Sequence, residues 1–263
     1  MRLFLALTKL SFRRQLTYRT ANLAGLATNL FFGLLRASVL IALYDARTEV
    51  AGLSLADAVT YTGISQAAIA CLSFFGWSEV MQSVYSGDVA SDLLKPMGYF
   101  SFWLAKDLGR AIASFLVRSL TLMLAYALAY DITLPRNAGQ WLAVAVTLLL
   151  SMLVSFSWRF LTNLAAFWTP DARGIIRFVF IFSWFLSGFL MPLRLFPGWF
   201  ARLCYLTPFP SMINTLVEVY LNKLTGPALL QALGTQLAWI VLLFAVGQLV
   251  LRAGVRRLVI QGG

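Results

Sequence analysis

Long apolar runs separated by short polar stretches set the pattern along this chain of 263 residues. A helix rises about 1.5 Å per residue, so about 20 apolar residues cross a bilayer core of about 30 Å. Six runs approach or exceed that length, and each predicts a membrane-spanning helix. The predicted spans, numbered one to six, cover residues 21–44, 55–81, 102–130, 141–168, 175–192 and 228–251.

These runs have the pattern of helices rather than of barrel strands. Strands of a membrane β-barrel show segments of about ten residues with alternating polarity. The fourth run instead contains AVAVTLLLSMLVSF, which is apolar on every side. The prediction is therefore an all-α, polytopic membrane protein in which residues 1–263 form a single transmembrane domain.

The composition agrees with this pattern. Hydrophobic residues make up 60% of the chain and charged residues 12%, whereas soluble domains carry about 25% charged residues. The formal net charge of +11 would suggest nucleic acid as a partner of a soluble protein. In a membrane protein, cytoplasmic lysine and arginine and their attraction to anionic headgroups account for such a charge. Membrane lipids, and no nucleic acid, are the expected surroundings.

Lysine and arginine lie mostly on one side of the predicted spans. Thirteen flank one side: Arg2, Lys9, Arg13, Arg14, Arg19, Lys95, Lys106, Arg110, Arg173, Arg177, Arg252, Arg256 and Arg257. Five flank the other side: Arg47, Arg136, Arg194, Arg202 and Lys223. Because positive residues concentrate on the cytoplasmic side, both termini are predicted to be cytoplasmic, in the inner (plasma) membrane.

The two ends of the chain follow from this orientation. Residues 1–20 mix leucine, phenylalanine and tyrosine with basic residues, which is typical of a helix lying in the cytoplasmic interface. A basic flank that only sets topology accounts for them equally well. Residues 252–263 are expected to form a cytoplasmic tail.

Residues that commonly carry catalysis or hold cofactors are scarce. The chain has no histidine, and its cysteines, Cys71 and Cys204, are far apart in sequence and are expected to be packing residues. No G-x-x-x-x-G-K-[ST] motif is present, so the sequence lacks a nucleotide-binding P-loop. We expect no enzyme activity, metal or cofactor in this chain; any ATP and Mg²⁺ would be bound by a partner ATPase.

Residues 86–100, SGDVASDLLKPMGYF, form a polar stretch on the predicted cytoplasmic side between spans two and three. Gly87 is suited to ending one helix, Asp88 to capping the next at Val89, and Pro96 to stopping it after about seven residues. The stretch therefore predicts a short helix joined almost directly to two spans.

The side chains of this short helix suggest a role. Asp88, Asp92 and Lys95 suit water, while Leu93 and Leu94 supply an apolar knob. A rigidly attached helix of this kind is a candidate lever for a cytoplasmic motor. The alternative is an interfacial turn that lies on lipid headgroups.

Three segments in this order resemble the permease subunits of ABC type-2 exporters, especially the six-span subgroup that includes viologen and drug exporters. The segments read LTYRTANL, SGDVASDLLKPMGYF and MPLRLFPGWFARLCYLTPFPSMINTLVEVYL. The subgroup favours an acid at the position filled here by Ser91 or Asp92. The resemblance implies two permeases, identical or sister chains, driven by a cytoplasmic ATPase dimer that docks on the coupling segment: Gly87, Asp88, Asp92, Leu93, Leu94, Lys95 and Pro96.

The connection between spans five and six is interrupted by three prolines, Pro197, Pro208 and Pro210. The pieces between and after them are shorter than the about 20 residues that span a bilayer. Re-entrant or interfacial helices on the outer side are expected, as the resemblance also implies; an ordinary membrane-lying loop is the alternative. Four aromatic residues are typical of an interfacial belt: Trp199, Phe200, Tyr205 and Phe209.

Charged residues within the spans or near their ends are candidates for the transport pathway or for pairing inside the membrane, because each is costly in hydrocarbon. They are Arg36, Glu79, Asp107, Arg110, Arg118 and Arg159. Arg36 and Arg159 are long enough to snorkel to water. Arg118, near the middle of span three, needs a partner or a wet cavity. Glu79 is its expected ion-pair partner, and substrate contact is the alternative.

Span five contains Ser183 and Ser187, four residues apart, followed by Gly188. Small residues at this spacing favour close helix packing or dimerisation over the lining of a substrate path.

The expected function is that of an exporter permease moving a hydrophobic or amphipathic substrate out of the cytoplasm. The alternative is a secondary transporter or channel that works without an ATPase. Such a transporter would need coupling acids deep in the spans, whereas Glu79 and Asp107 lie near the ends. An intramembrane enzyme would need convergent acids or metal ligands, which the sequence lacks.

Overall fold

The computed structural model describes residues 1–44, 47–74, 76–169 and 171–257, so the predicted tail lies partly outside the described residues. Twelve α-helices occur in this part of the chain: α1 (Arg2–Thr17), α2 (Arg19–Tyr44), α3 (Leu55–Leu72), α4 (Glu79–Ser86), α5 (Val89–Leu93), α6 (Tyr99–Ser114), α7 (Leu120–Ala129), α8 (Ala138–Asn163), α9 (Arg173–Leu186), α10 (Gly198–Tyr205), α11 (Asn214–Tyr220) and α12 (Gly226–Val255).

Short elements complete the architecture. A π-helical turn, Phe115–Ser119, joins α6 to α7, and 3₁₀ turns cover Leu164–Phe167, Leu193–Leu195 and Phe209–Ser211. In the described residues the strands are limited to β1 (Glu49–Val50) and β2 (Leu53–Ser54), paired antiparallel with Glu49 opposite Ser54. The prediction of an all-α membrane fold is confirmed.

Four helical stretches of the described chain are long and apolar enough to cross a membrane. They are Arg19–Tyr44, Tyr99–Ala129, Ala138–Phe167 and Gly226–Val255. They match predicted spans one, three, four and six to within a few residues at each end.

The structure corrects spans two and five. The helix predicted over residues 55–81 is interrupted, because α3 ends at Leu72 and Ser73 adopts a left-handed φ of 51°. Predicted span five holds α9, whose 14 residues extend only about 21 Å. That helix ends two residues before Gly188, whose φ of +78° is a conformation that favours glycine.

Helix α3 is the centre of the fold. It is buried over nearly its whole length and contacts α2, the π-helical turn, α7, α8 and α11. It begins with a capping box, in which the Ser54 hydroxyl accepts from the Asp57 amide at 3.1 Å and Asp57 accepts from the Ser54 amide at 3.3 Å. The cap satisfies two otherwise unpaired amides and fixes where the helix starts.

Two glycines let a tyrosine of α7 pack between α2 and α3. A Cβ on Gly33 would lie 2.6 Å from the Tyr126 hydroxyl oxygen, and one on Gly63 would lie 2.7 Å from Cδ1 of the same ring. Any larger residue at either position would displace this ring. The close approach brings the three helices together around a fully buried aromatic side chain.

The predicted N-terminal helix is present as α1, and it packs along α6. A Cβ on Gly109 would lie 2.2 Å from the carbonyl oxygen of Thr8, so the two backbones nearly touch. The Ser11 hydroxyl donates to the Lys106 carbonyl at 2.5 Å. Helix α1 is therefore docked on the protein; its position at the membrane interface stays a prediction.

The connection between α9 and α12 contains the short helices α10 and α11 and two 3₁₀ turns. Of its aromatic residues, Trp199 and Tyr205 are exposed, as a belt requires, but Phe209 is buried against Trp158 with ring centroids 5.0 Å apart. The belt assignment of Phe209 is therefore wrong. Both cysteines are free and buried, in agreement with a packing role.

Candidate functional site

The break after α3 exposes backbone carbonyls that helical hydrogen bonds no longer satisfy, and side chains take their place. The Arg110 guanidinium donates to the carbonyls of Ala70 at 3.3 Å and Cys71 at 2.8 Å. The Ser155 hydroxyl donates to the Leu72 carbonyl at 3.2 Å. Irregular backbone at membrane depth is tolerated only where it is buried and satisfied in this way.

The far side of the break is held by two further side chains. The Trp184 indole N–H donates to the Phe74 carbonyl at 3.0 Å. The Asn163 amide donates to the Trp77 carbonyl at 2.9 Å and accepts from the Met81 amide at 3.2 Å. Helices α8 and α9 thus fix the position at which α4 begins.

A buried charge cluster lies beside the break. Asp107 accepts from Arg159 at 2.8 and 3.1 Å and from Arg110 at 2.9 and 3.1 Å. Only 3% of the surface of Asp107 and 1% of that of Arg159 are exposed. Arg159 therefore does not snorkel, and the cluster joins α6 to α8 and, through Arg110, to the end of α3.

Glu79 has a different partner from the one predicted. Its carboxylate pairs with Lys106 at 3.1 Å, so the expected pairing with Arg118 is wrong. Lys106 also lies 3.9 Å above the ring of Trp103. Because Glu79 is the first residue of α4 and Lys106 belongs to α6, this half-exposed pair joins the two helices.

The predicted coupling segment, residues 87–96, follows α4 and contains α5. Gly87 ends α4 with a φ of +82°, as predicted. Helix α5 is shorter than predicted, with five residues, and stops before Pro96. Asp88 does not cap it through its side chain; its carboxylate instead accepts from the Ser86 hydroxyl at 2.6 Å.

Asp92 faces inward, contrary to the expectation that it lies in water. It is buried, accepts from the Ser83 hydroxyl at 2.5 Å and pairs with Lys95. The Lys95 ammonium lies 3.8 Å from the ring centroid of Phe102. A buried carboxylate must have its oxygens hydrogen-bonded or paired, and Asp92 meets this requirement through Ser83 and Lys95. These contacts join α4, α5 and α6 into one unit.

The two leucines of the segment have different environments. Leu93 packs against a buried cluster that includes Trp77, Val80 and Val89. Leu94 is 86% exposed, and Tyr85 on α4 is also exposed. The apolar knob predicted for Leu93 and Leu94 is therefore formed by Leu94 alone.

Arg36 bonds to protein rather than snorkelling. Its guanidinium donates to the carbonyls of Phe189 and Leu190, the latter at 3.1 Å, and to the Ser65 hydroxyl at 3.4 Å. It thereby joins α2 to the segment that follows α9. Ser183, in α9, is buried and accepts from the Trp158 indole at 3.1 Å, which supports the packing role predicted for this stretch.

Sequence reasoning missed the break and the residues that hold it. Arg110 and Asn163 carried a signal, since polar side chains within long apolar runs need partners. No signal indicated that those partners are the carbonyls of residues 70–77. The role of the coupling-segment residues stays a prediction, and the partners of Asp107 and Glu79 were not predicted.

Comparison with known proteins identifies one family. A sequence model described as ABC-2 family transporter protein matches residues 30–262. The match includes the break after α3, the coupling segment and the buried charge cluster. Among curated proteins, no relative matches the chain.

Proposed function

Because the chain belongs to the ABC-2 family of transporter proteins, we propose that it is the permease subunit of an exporter driven by separate ATPase subunits. The observation that carries this proposal is the coupling segment, in which Leu94 is presented to solvent at the C-cap of α5, a helix tied to the core. Leucine is costly to leave in water and contributes about 1.5 to 3 kcal/mol when fully buried. An ATPase surface that covers Leu94 would recover that free energy.

The contacts of the coupling segment give a route from such a surface to the interior. Helix α5 is joined to α4 by the Asp92–Ser83 hydrogen bond. Helix α4 begins at Glu79, after the turn at Ser73, and is joined to α6 by Glu79 and Lys106. A displacement of α5 during ATP hydrolysis would therefore move α4 and α6 with it relative to α3 and change the break beside the Asp107 cluster.

The arrangement in the membrane follows the charge asymmetry of the sequence. In this proposal α3 and α9, with their flanking residues, complete a set of six spans, and both termini lie in the cytoplasm. The coupling segment is then cytoplasmic, and α10 and α11 form re-entrant or interfacial helices outside. Two such permeases, identical or sister chains, work with an ATPase dimer that holds ATP and Mg²⁺.

A secondary transporter is the alternative, and the acids argue against it. Asp107 is bonded to two arginines, and Glu79 is paired with Lys106 near the end of its helix. Both carboxylates are engaged in ion pairs that hold helices together, whereas proton coupling needs a carboxylate that is free to exchange a proton with the transport path.

The direct test of the function is its dependence on an ATPase. We expect the full chain, purified from its native membrane, to retain a partner subunit with a P-loop. The purified complex should hydrolyse ATP. Removal of that subunit should abolish the hydrolysis and ATP-driven export from the vesicle lumen. Substrate movement by the permease alone at the same rate would instead support the secondary transporter.

The predicted topology has its own test. A cytoplasm-active reporter fused after Gly263 should be active, and one fused after Arg136, in the loop between α7 and α8, should be inactive. A periplasm-active reporter should give the opposite pattern at each position. The same sidedness at both positions would contradict the six-span arrangement, because an odd number of crossings must separate them.

A further inference from the structure

Arg118 is an intramembrane arginine without a counter-ion in the described part of the structure. It lies in the π-helical turn of the stretch Tyr99–Ala129, which is long and apolar enough to span the membrane. Its Nε atom is buried and has no hydrogen-bond partner among the described residues. A cation at this depth is costly unless something pairs with it.

Three other arginines of the helical core, Arg36, Arg110 and Arg159, are bonded. Arg36 donates to two carbonyls and a hydroxyl, and Arg159 and Arg110 share Asp107. The carboxylate of Asp107 is therefore already committed. Arg118 differs from these three arginines because its Nε–H donor has no acceptor in the described part of the chain.

The neighbouring helix leaves room for this guanidinium. A Cβ on Gly25 of α2 would lie 2.6 Å from Nη2 and 2.7 Å from Cζ of Arg118. A side chain at that position would push the guanidinium away. The π-helical turn adds a second feature, since such turns are rare and are frequent at functional sites.

Exposed apolar side chains occur on both elements that meet at Arg118. Leu116 and Leu120 are on the same helical stretch, Leu23 is on α2, and all three are exposed on the chain. Ser119, the next residue, uses its hydroxyl to bond the Ala67 carbonyl at 2.6 Å. A single unpaired cation on helices that also expose apolar side chains matches a molecule with an apolar body and one anionic group.

We propose that Arg118 binds the phosphate or carboxylate group of an amphipathic molecule that reaches it from the membrane between α2 and the π-helical turn. A guanidinium suits this role because it binds such oxyanions through two parallel hydrogen bonds. The inference rests on the proposed export function where it names the substrate class as amphipathic anions. A phospholipid of the membrane carries the same chemistry and is the second source.

Binding of dodecyl phosphate to the full chain in an uncharged detergent tests the site. The wild-type chain should bind it saturably and should not bind dodecyltrimethylammonium. Arg118→Gln should weaken binding about tenfold or more, because a charge-assisted pair of hydrogen bonds is lost. Arg118→Lys should lose less, since it keeps the charge without the bidentate geometry.

A matched control and a second variant make the result interpretable. Arg202→Gln removes an exposed arginine of α10 and should leave dodecyl phosphate binding unchanged. If Arg118→Gln does not fold, Arg118→Lys carries the test, because it retains a cation at the same position. Unchanged dodecyl phosphate binding in every Arg118 variant overturns the proposal. It is also overturned if the Arg118 variants bind dodecyl phosphate normally and only fail to associate with the second permease subunit.

Two readouts separate the sources of the anion. If the exported substrate binds here, dodecyl phosphate should raise ATP hydrolysis by the wild-type complex and not by the Arg118→Gln complex. If a resident lipid binds here, phosphatidylglycerol should co-purify with the wild-type chain, be lost from Arg118→Gln, and leave hydrolysis insensitive to dodecyl phosphate. Failure of the wild-type chain to retain an ATPase contradicts the proposed function and leaves the binding result standing.

Discussion

Replacing Asp107 with leucine is expected to lower the free energy of unfolding by about 3 to 5 kcal/mol. The substitution removes the carboxylate that holds both Arg110 and Arg159, and Arg159 is 1% exposed. That guanidinium would keep only a 3.3 Å hydrogen bond to the Ser155 hydroxyl and the faces of two aromatic rings. The unfolding temperature in detergent should fall by about 10 °C for a chain of this size.

Glu79→Leu is the matched control for this prediction. It also removes a carboxylate from an ion pair of α6, but that pair is half exposed, and exposed pairs contribute about 0 to 1 kcal/mol. Its unfolding temperature should stay within about 3 °C of the wild type. Equal losses in the two variants would show that burial of the Asp107 cluster is not what stabilises the fold.

The double variant Asp107→Leu with Arg159→Leu adds a second check. Removing both charges leaves no uncompensated Arg159 guanidinium, and Arg110 keeps its two carbonyl partners. We expect the double variant to be more stable than Asp107→Leu alone. A further loss of stability on adding Arg159→Leu would contradict the buried-pair interpretation.

The second large effect concerns the coupling segment. Leu94→Asp should reduce ATPase binding by about 10-fold or more, because burial of a leucine contributes about 1.5 to 3 kcal/mol and an aspartate at that interface would be desolvated. The fold should be unaffected, since Leu94 is 86% exposed. Co-purification of the ATPase with the tagged permease, together with the permease's unfolding temperature, measures both effects.

Two leucines serve as comparisons for Leu94. Leu206→Asp places the same charge on a residue of similar exposure, 76%, on the predicted outer side, and should leave ATPase binding intact. Leu93→Asp should lower stability as well, because Leu93 packs against the buried cluster around Trp77. If the Leu94→Asp variant still binds the ATPase, the segment is better explained as an interfacial turn that lies on lipid headgroups.

The sequence was sufficient for the parts of the fold that depend on local composition. The helices α2, α8 and α12 were predicted because each is an apolar run long enough to span a bilayer. Gly87 was predicted to end a helix because a left-handed residue after a helix is usually glycine. These features depend on residues close together in the chain.

The rest depends on contacts between distant residues. Asp107 and Arg159 are 52 positions apart, so no local pattern indicates that they pair. The interruption of α3 at Ser73 lies in an apolar run that favours a continuous helix. It is compensated by side chains from α6, α8 and α9, which the sequence does not place beside it. The prediction paired Arg118 with Glu79 because their spans follow one another in the chain. In the structure the break places Glu79 on the separate helix α4, where it faces Lys106.

Cross-linking at Leu94 tests the central claim most directly, namely that a separate ATPase docks on the coupling segment. The native cysteines, Cys71 and Cys204, are buried, so Leu94→Cys supplies an accessible thiol, and Leu206→Cys is the control on the predicted outer side. The account predicts that a short thiol-reactive cross-linker joins Leu94→Cys to the ATPase in native membranes and does not join Leu206→Cys. Cross-linking of the ATPase at position 206, or its absence at position 94 in an ATP-hydrolysing complex, would contradict it.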